Sequence, residues 1–455
     1  MKRIVSSALV VILLFLSLTI ISWDNDWADS INSEAALVVN LDTGRILYRK
    51  NASTIMYPAS LTKILTTLIA LENCEDPKNT MVTIPDPVLF HDVNTQGGVT
   101  IYLQQGERIS LWDLLCATIL NSACDAANTV GWYIGGDLET FVDRMNHRAA
   151  QLGAKNTHCV NTHGLHNGNH YSTAEDMMLI LKEALQHPLF QEIISMSAYT
   201  IPKTNLSAPR PLKYTVSLTV ETSSFYYPDA KGVKTGFTDE AGRCLATTVT
   251  RYDTTYAIVL LGANFARPVS AEQPVNYAFT DAITIAEYLF SNYVKETWIQ
   301  EKQVITEMPL KDNRDYLLTL KANEDVEVIR NTSDEVACTY HLPETISIKE
   351  IQAGKSVGYA TVVINGEEVS SFDLLPAGYI VFSDTTLPVR TLEDPPASEQ
   401  EIFNEPKDEK ALFGSLDKPT LILCVTLFLL VLSTLVIISI SRSASKTRKP
   451  TRYKK

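Results

Sequence analysis

Apolar and polar positions alternate with different periods along the chain, and the periods divide it. The stretch EAALVVNLDTGRILYRKN predicts a β-hairpin with Asp42-Thr43-Gly44 as its turn. In YPASLTKILTTLIAL, residues 57–71, apolar side chains recur at Leu61, Ile64, Leu65, Leu68 and Ile69, the period of a helix. Pro58 suits its first turn, where a missing N–H has no helical partner. Helical patterns dominate to about residue 195. One begins with a capping box of Ser172 and Glu175 ahead of MMLILKEAL. From 230 to 262 the period becomes that of strands: GVKTGFT, RCLATTVTR and TYAIVLLGA, separated by turns at 239–242 and at Asp253, predict an antiparallel meander. A helix, FTDAITIAEYLFSNYV, follows. Beyond residue 300, YLLTLK, VEVIRN, TVVING and EEVSSFDLL predict a small all-β domain, with Asn365-Gly366 as a hairpin turn.

The two ends read differently. Lys2 and Arg3 precede the apolar run IVSSALVVILLFLSLTII, so residues 1–28 are expected to be a signal sequence or N-terminal anchor. Residues 420–440 carry no charge and are long enough to span a bilayer as a helix. The tail 441–455 is basic and is therefore expected on the cytoplasmic side, with everything from about 30 to 418 outside the membrane. The acidic, Pro-bearing stretch 391–418 reads as a flexible linker. The net charge of −13 argues against nucleic acid as a partner. Seven cysteines at irregular spacing name no disulfide.

Candidate chemistry begins at the first helix. Ser60 and Lys63 stand one turn apart and so share a face. The spacing alone is not diagnostic, because Ser443 and Lys446 repeat it in the basic tail. A second polar cluster, Asn121-Ser122-Ala123-Cys124-Asp125, separates two apolar helical runs, where Ser122 could simply cap a helix. A third signal is Lys234-Thr235-Gly236, a cation and a hydroxyl suited to an anionic group. Glycine beside a strand position lets another backbone or a ligand approach closely. Taken singly, this tripeptide reads rather as a lysine and threonine on a solvent-facing strand, with Gly at a bulge.

In this order the three signals make up the motif set of penicillin-binding proteins and class A β-lactamases. AALVVNLDTGRILYRKNAS, YPASLTK, NTHGLHNGNHYSTAEDM, GVKTGFTDEAGRCLATT and FTDAITIAEYLFSNY extend the likeness, and the chain resembles the D-alanyl-D-alanine carboxypeptidases, the low-molecular-mass penicillin-binding proteins. The resemblance covers roughly 34–295. It implies an α+β fold: a serine β-lactamase/transpeptidase-like domain at 34–295, a small all-β domain at 300–388 and a C-terminal transmembrane helix. It implies a bacterial membrane enzyme with its catalytic domain on the extracytoplasmic side. That enzyme removes the terminal D-alanine of peptidoglycan stem peptides, is a target of β-lactams, and needs no cofactor and no metal.

The resemblance also assigns roles. Ser60 is the nucleophile and Lys63 its base. A serine hydroxyl needs such a base, and a lysine serves once burial or a second cation lowers its pKa. Lys234 is that second cation. Ser122 relays the proton to the leaving amine. The backbone N–H groups of Ser60 and Phe237 hold the oxyanion, and Lys234, Thr235 and Gly236 meet the substrate carboxylate, with Arg267 a further candidate. The pattern departs from the family at Cys124, where Asn is usual. An amide donates and accepts well, and a thiol does both poorly. A catalytically weak or inactive penicillin- or muropeptide-binding protein, or a DD-transpeptidase, is therefore the alternative. His158, Cys159, His163, His166 and His170 have zinc-binding side chains, but they fall on a stretch resembling a family loop that needs no metal.

Overall fold

The computed structural model describes residues 26–86, 90–264, 275–312, 316–352 and 354–382. The N-terminal apolar run, Arg267, the 391–418 linker, the 420–440 run and the basic tail lie outside the described residues. Among the described residues no helix is long and apolar enough to cross a membrane.

The expected hairpin is β1 (Ala35–Asn40) and β2 (Ile46–Lys50). A single 3-10 turn, Ala59–Leu61, leads into α1 (Thr62–Glu72). A short strand pair, β3 (Met81–Thr83) and β4 (Arg108–Ser110), brackets α2 (His91–Thr95). Then come α3 (Leu111–Leu120), α4 (Cys124–Gly135), α5 (Leu138–Gln151), α6 (Ala174–Gln186) and α7 (Pro188–Ile194). Two residues each of β5 (Thr200–Ile201) and β6 (Arg210–Pro211) pair before the meander. The meander is β7 (Ala230–Thr238), β8 (Gly242–Arg251) and β9 (Thr254–Ala263), and α8 (Tyr277–Asn292) follows it.

The hairpin and the meander form one antiparallel sheet in the order β2-β1-β9-β8-β7. Strand alternation explains why β1 and β9 are apolar through most of their length. Leu37 and Val39 of β1, with Ala257, Val259 and Leu261 of β9, enter the core shared with α1, α3 and α6. Val38, Ile258 and Leu260 enter the opposite core, under α8. A sheet covered on both faces needs apolar residues at every position, not at every second one. Each fully buried Leu or Ile contributes about 1.5–3 kcal/mol, so this double core dominates the stability of the domain.

The capping expectation at α6 shifts by one residue. Thr173, not Ser172, caps the helix and accepts from the backbone N–H of Asp176 at 3.0 Å. Ser172 is held extended by its backbone bridge to Met56, and its hydroxyl meets Thr157 Oγ1 at 2.8 Å. At the other end, α8 stops at Asn292, two residues short of the expected helical stretch. Tyr293 is already extended and opens β10 (Tyr293–Ile299), which pairs with β13 (Val326–Asn331).

The remaining strands are β11 (Val304–Pro309), β12 (Tyr316–Ala322), β14 (Val336–His341), β15 (Gly358–Ile364) and β16 (Glu367–Phe382). They form a second antiparallel sheet, β11-β12-β16-β15-β14, around a core of its own that includes Leu310, Leu320, Val362 and Leu374. Asn365 and Gly366 have φ of 52° and 84°, the left-handed pair that a two-residue hairpin demands. Arg45 of the first sheet reaches Asp334 beyond β13 at 3.1 Å in a largely buried ion pair. The described chain is thus α+β.

Candidate active site

Ser60 sits in the 3-10 turn that opens α1, on a backbone under tension. Ala59 has φ 47°, a left-handed conformation unfavourable to any residue with a Cβ. The loop 161–170 braces this turn. Thr62 Oγ1 donates to the Ala59 carbonyl at 2.8 Å and lies 2.8 Å from His170 Nε2. His170 Nδ1 accepts from Val160 N–H, so its proton belongs on Nε2, facing Thr62. Burial pushes the His170 pKa down to about 3, which keeps the ring neutral in this chain of bonds. Gly164, at φ 77°, packs so tightly on the turn that a Cβ there would run into the Ala59 carbonyl.

One helical turn on, Lys63 is fully buried. Its Nζ lies 2.9 Å from Ser60 Oγ, 2.7 Å from the carbonyl oxygen of His163 and 3.4 Å from Cys124 Sγ. Burial lowers its pKa, and the Cys124 and Asp125 side chains partly oppose that shift. A neutral amine has two N–H groups and one lone pair. The His163 carbonyl can only accept and the Cys124 sulfur can accept, whereas the Ser60 hydroxyl can donate. The amine donates to all three in this geometry, and once it is unprotonated the Ser60 hydroxyl can turn to donate to its lone pair.

The third signal arrives on β7, the edge strand of the sheet. Lys234 is fully buried and donates to the Thr235 carbonyl at 2.8 Å, so it is no solvent-facing strand lysine. Burial lowers its pKa well below the ordinary lysine value, and the charge of Lys63 lowers it further. Gly236 has a steric purpose: a Cβ there would lie 3.0 Å from the Pro58 carbonyl oxygen and 3.1 Å from Ser60 N. Glycine here lets the strand lie close against the backbone of the Ser60 turn. Phe237, next along, is substantially exposed beneath the Arg243 guanidinium, 4.9 Å from its ring centre.

The second signal closes the opposite side. Ser122 lies in the turn between α3 and α4 at φ 60° and is nearly buried. It does not cap α4, whose N-cap is Ala123. Cys124 opens that helix, 2% exposed, with its N–H on the Val99 carbonyl at 2.7 Å and its sulfur on Lys63. Ser60, Lys63 and Cys124 thus share one bonded cluster, Lys234, Thr235, Gly236 and Phe237 line the strand against it, and Ser122 stands two residues from Cys124. Arg267 lies outside the described residues.

Three contributors to this site carry no motif. His163 presents its backbone carbonyl to Lys63, while its buried ring meets Asp92 Oδ2 at 2.8 Å and accepts from Leu165 N–H at 3.1 Å. Asp92, on α2, also receives Asn128 Nδ2 at 3.2 Å. Asp125 accepts the N–H groups of Ile101 and Leu103. The only sequence signal for His163 was the histidine-rich loop, whose rings turn to separate partners. His158 Nδ1 meets the Asn169 carbonyl at 2.6 Å, and His166 stands edge-on to Tyr57.

Comparison with known proteins identifies the family. The model of the D-alanyl-D-alanine carboxypeptidase family matches residues 24–265, and the chain belongs to that family of serine peptidases. It is 27% identical over 401 residues to the D-alanyl-D-alanine carboxypeptidase DacF of Bacillus subtilis, covering 85% of this chain and 98% of that one. It is 27% identical over 360 residues to DacC of Escherichia coli, covering 76% and 84%. Penicillin-binding protein 5 of Haemophilus influenzae shares the fold, with a TM-score of 0.60, 24% identity and coverage of 77% of this chain and 98% of that one. A Streptomyces DD-transpeptidase superposes with a TM-score of 0.51 at 29% identity, over 57% of this chain and 98% of that one.

Proposed function

We propose that this enzyme removes the terminal D-alanine from peptidoglycan stem peptides through an acyl-enzyme on Ser60. The carrying observation is the 2.9 Å approach of Lys63 Nζ to Ser60 Oγ at a fully buried amine whose pKa is lowered. Ser60 Oγ attacks the carbonyl of the D-Ala-D-Ala bond and gives its proton to Lys63. The backbone N–H groups of Ser60 and Phe237 stabilise the oxyanion. Ser122 passes the proton on to the leaving amine, D-alanine departs, and water hydrolyses the ester.

Substrate binding completes the lysine chemistry. Two buried amines that repel one another do not readily both carry protons. The incoming carboxylate, received at Lys234 and Thr235, favours the ammonium form of Lys234. That charge in turn favours neutral Lys63, the form that acts as a base. A β-lactam presents its own carboxylate and a reactive amide to the same groups and acylates Ser60 in the same way. The uncharged run 420–440 with its basic tail supports a single-pass C-terminal anchor in the bacterial membrane and an extracytoplasmic catalytic domain.

The direct test is to incubate the full-length chain, in detergent, with diacetyl-Lys-D-Ala-D-Ala and to measure free D-alanine. Release is expected. No release, with penicillin labelling retained, would leave a binding protein without turnover.

A further inference from the structure

The route to the acyl-enzyme gives chemical steps to Ser60, Lys63 and Ser122 and leaves idle a buried nucleophile beside them. Cys124 is 2% exposed, and its sulfur accepts from Lys63 Nζ at 3.4 Å. An amine and a thiol in contact become a reactive pair once the sulfur is oxidised, because a sulfenic sulfur is attacked by nitrogen as well as by a thiol. Both partners are held where they meet. Lys63 is tied to the His163 carbonyl at 2.7 Å. Cys124 is fixed at the first position of α4, with its N–H on the Val99 carbonyl at 2.7 Å. The other polar neighbour of the sulfur, the Ser122 carbonyl at 3.8 Å, offers neither an amine nor a thiol.

The other described cysteines are placed differently. Cys159 and Cys244 are buried, and burial pushes their pKa up to about 12. Burial raises Cys116 and Cys338 as well. Cys74 is half-buried beside Thr80 Oγ1. Among the described residues none of these sulfurs is hydrogen-bonded to an amine. A thiol reacts as its thiolate, so a thiol with no group to take its proton is slow to oxidise. At Cys124 that group is present: the amine that takes the proton of Ser60 also touches the thiol. Ser60, half-buried and 2.9 Å from the same amine, must be open to a peptide substrate. A molecule as small as hydrogen peroxide reaches the cluster by the same opening.

We propose that Cys124 and Lys63 are a modification site: in hydrogen peroxide they join through a reversible covalent N–S bond, and the bond switches acylation off. In the first step Lys63 takes the thiol proton and the thiolate attacks the peroxide. An S–O bond forms, the O–O bond breaks, and the leaving hydroxide takes the proton back from Lys63 as water. The sulfur is oxidised by two electrons and the peroxide is reduced by two. In the second step the Lys63 lone pair attacks the sulfenic sulfur. An N–S bond forms, the S–O bond breaks, and hydroxide leaves with one amine proton as water, without further oxidant. A thiol reductant reverses the bond: one thiol cleaves N–S to free Lys63, and a second releases Cys124 and leaves as the disulfide. The bonded nitrogen is a far weaker base than an amine and is drawn from Ser60 toward sulfur, so the serine proton has no acceptor. The crosslink follows from the contact alone, whereas its effect on activity rests on the reading of Lys63 as the base.

The test treats the full-length chain with hydrogen peroxide, removes the excess with catalase, and follows labelling by fluorescent penicillin. Labelling should fall in step with the crosslinked fraction and return after dithiothreitol. A non-reducing peptide map should join the peptides carrying Lys63 and Cys124 at a mass lower than their sum by two hydrogens. Trypsin should no longer cut after Lys63. Cys124→Ser, compared with its own untreated rate, should keep its labelling through the same treatment. Unchanged labelling of the treated parent, with both residues recovered unmodified, would overturn the proposal. So would a loss that dithiothreitol does not reverse, with Cys124 recovered as its sulfinic or sulfonic acid, or an equal loss in Cys124→Ser. Where the variant labels weakly from the start, the map of the parent decides by the presence or absence of the joined peptides. A crosslinked chain that still labels fully would overturn the base role of Lys63, and the switch with it.

Discussion

The carbonyl oxygen of His163 receives the Lys63 amine at 2.7 Å across a hundred residues of sequence. It fixes the amine beside Ser60 from a loop that belongs to neither motif. Because a carbonyl can only accept, it occupies one N–H of Lys63 and leaves the lone pair for the serine proton.

The acid limb of catalysis follows. Lys63 must be unprotonated to accept the serine proton, and burial lowers its pKa below the ordinary lysine value of 10.5. Activity should therefore rise with pH through that lowered value and reach its plateau below the pH at which a free lysine titrates. The pH profile of penicillin acylation measures it directly. Lys63→Arg, whose guanidinium stays protonated throughout, should lose acylation across the whole range. An Arg variant that acylates at any pH would remove Lys63 from the role of base.

Gly236→Ala should slow acylation more than it unfolds the protein. The added methyl would sit 3.0 to 3.1 Å from the Pro58 carbonyl oxygen, Ala59 Cβ and Ser60 N, so the strand and the nucleophile turn must part by a few tenths of an ångström. Misplacing reacting groups by about an ångström can cost 100-fold, and overpacking typically costs about 1–3 kcal/mol. The expected result is acylation slower by roughly ten- to a hundredfold, with folding retained in circular dichroism. Parent-like acylation would mean that the close approach is not needed.

Cys124→Asn tests the departure from the family pattern. The amide adds a good acceptor for Lys63 and a donor toward the substrate. One hydrogen bond to a charged group contributes about 1.5–3 kcal/mol, so kcat/KM for D-alanine release should rise by roughly ten- to a hundredfold. Cys124 is 2% exposed and lies close to Gly98, so the gain requires its neighbours to yield room for the larger amide. A lower rate with an unchanged Tm would mean that the site is built around the thiol.

The elements and the pairing of Ser60 with Lys63 were legible because local patterns carry them. Apolar periodicity marked α1, the β1–β2 hairpin and the meander, and Asn365-Gly366 marked its own turn. Ser60, Lys63 and Lys234 could be read because their chemistry needs fixed residue types at fixed spacing. What escaped depends on contacts distant in sequence. Nothing local tells that the His163 backbone holds Lys63, that Asp92 holds the His163 ring, or that Asp125 holds the N–H groups of Ile101 and Leu103. The direct passage of α8 into β10 was hidden because Tyr293 and Val294 continue an apolar pattern, and only pairing with β13 makes them a strand. The cap at α6 moved to Thr173 because Met56 claims the backbone of Ser172.

The central claim is that Ser60 is the residue acylated. Mass spectrometry of the full-length chain after brief exposure to benzylpenicillin, followed by peptide mapping, tests it most directly. The account predicts one penicilloyl adduct on the peptide carrying Ser60, absent from Ser60→Ala. An adduct on Cys124, or one that persists in Ser60→Ala, would contradict it.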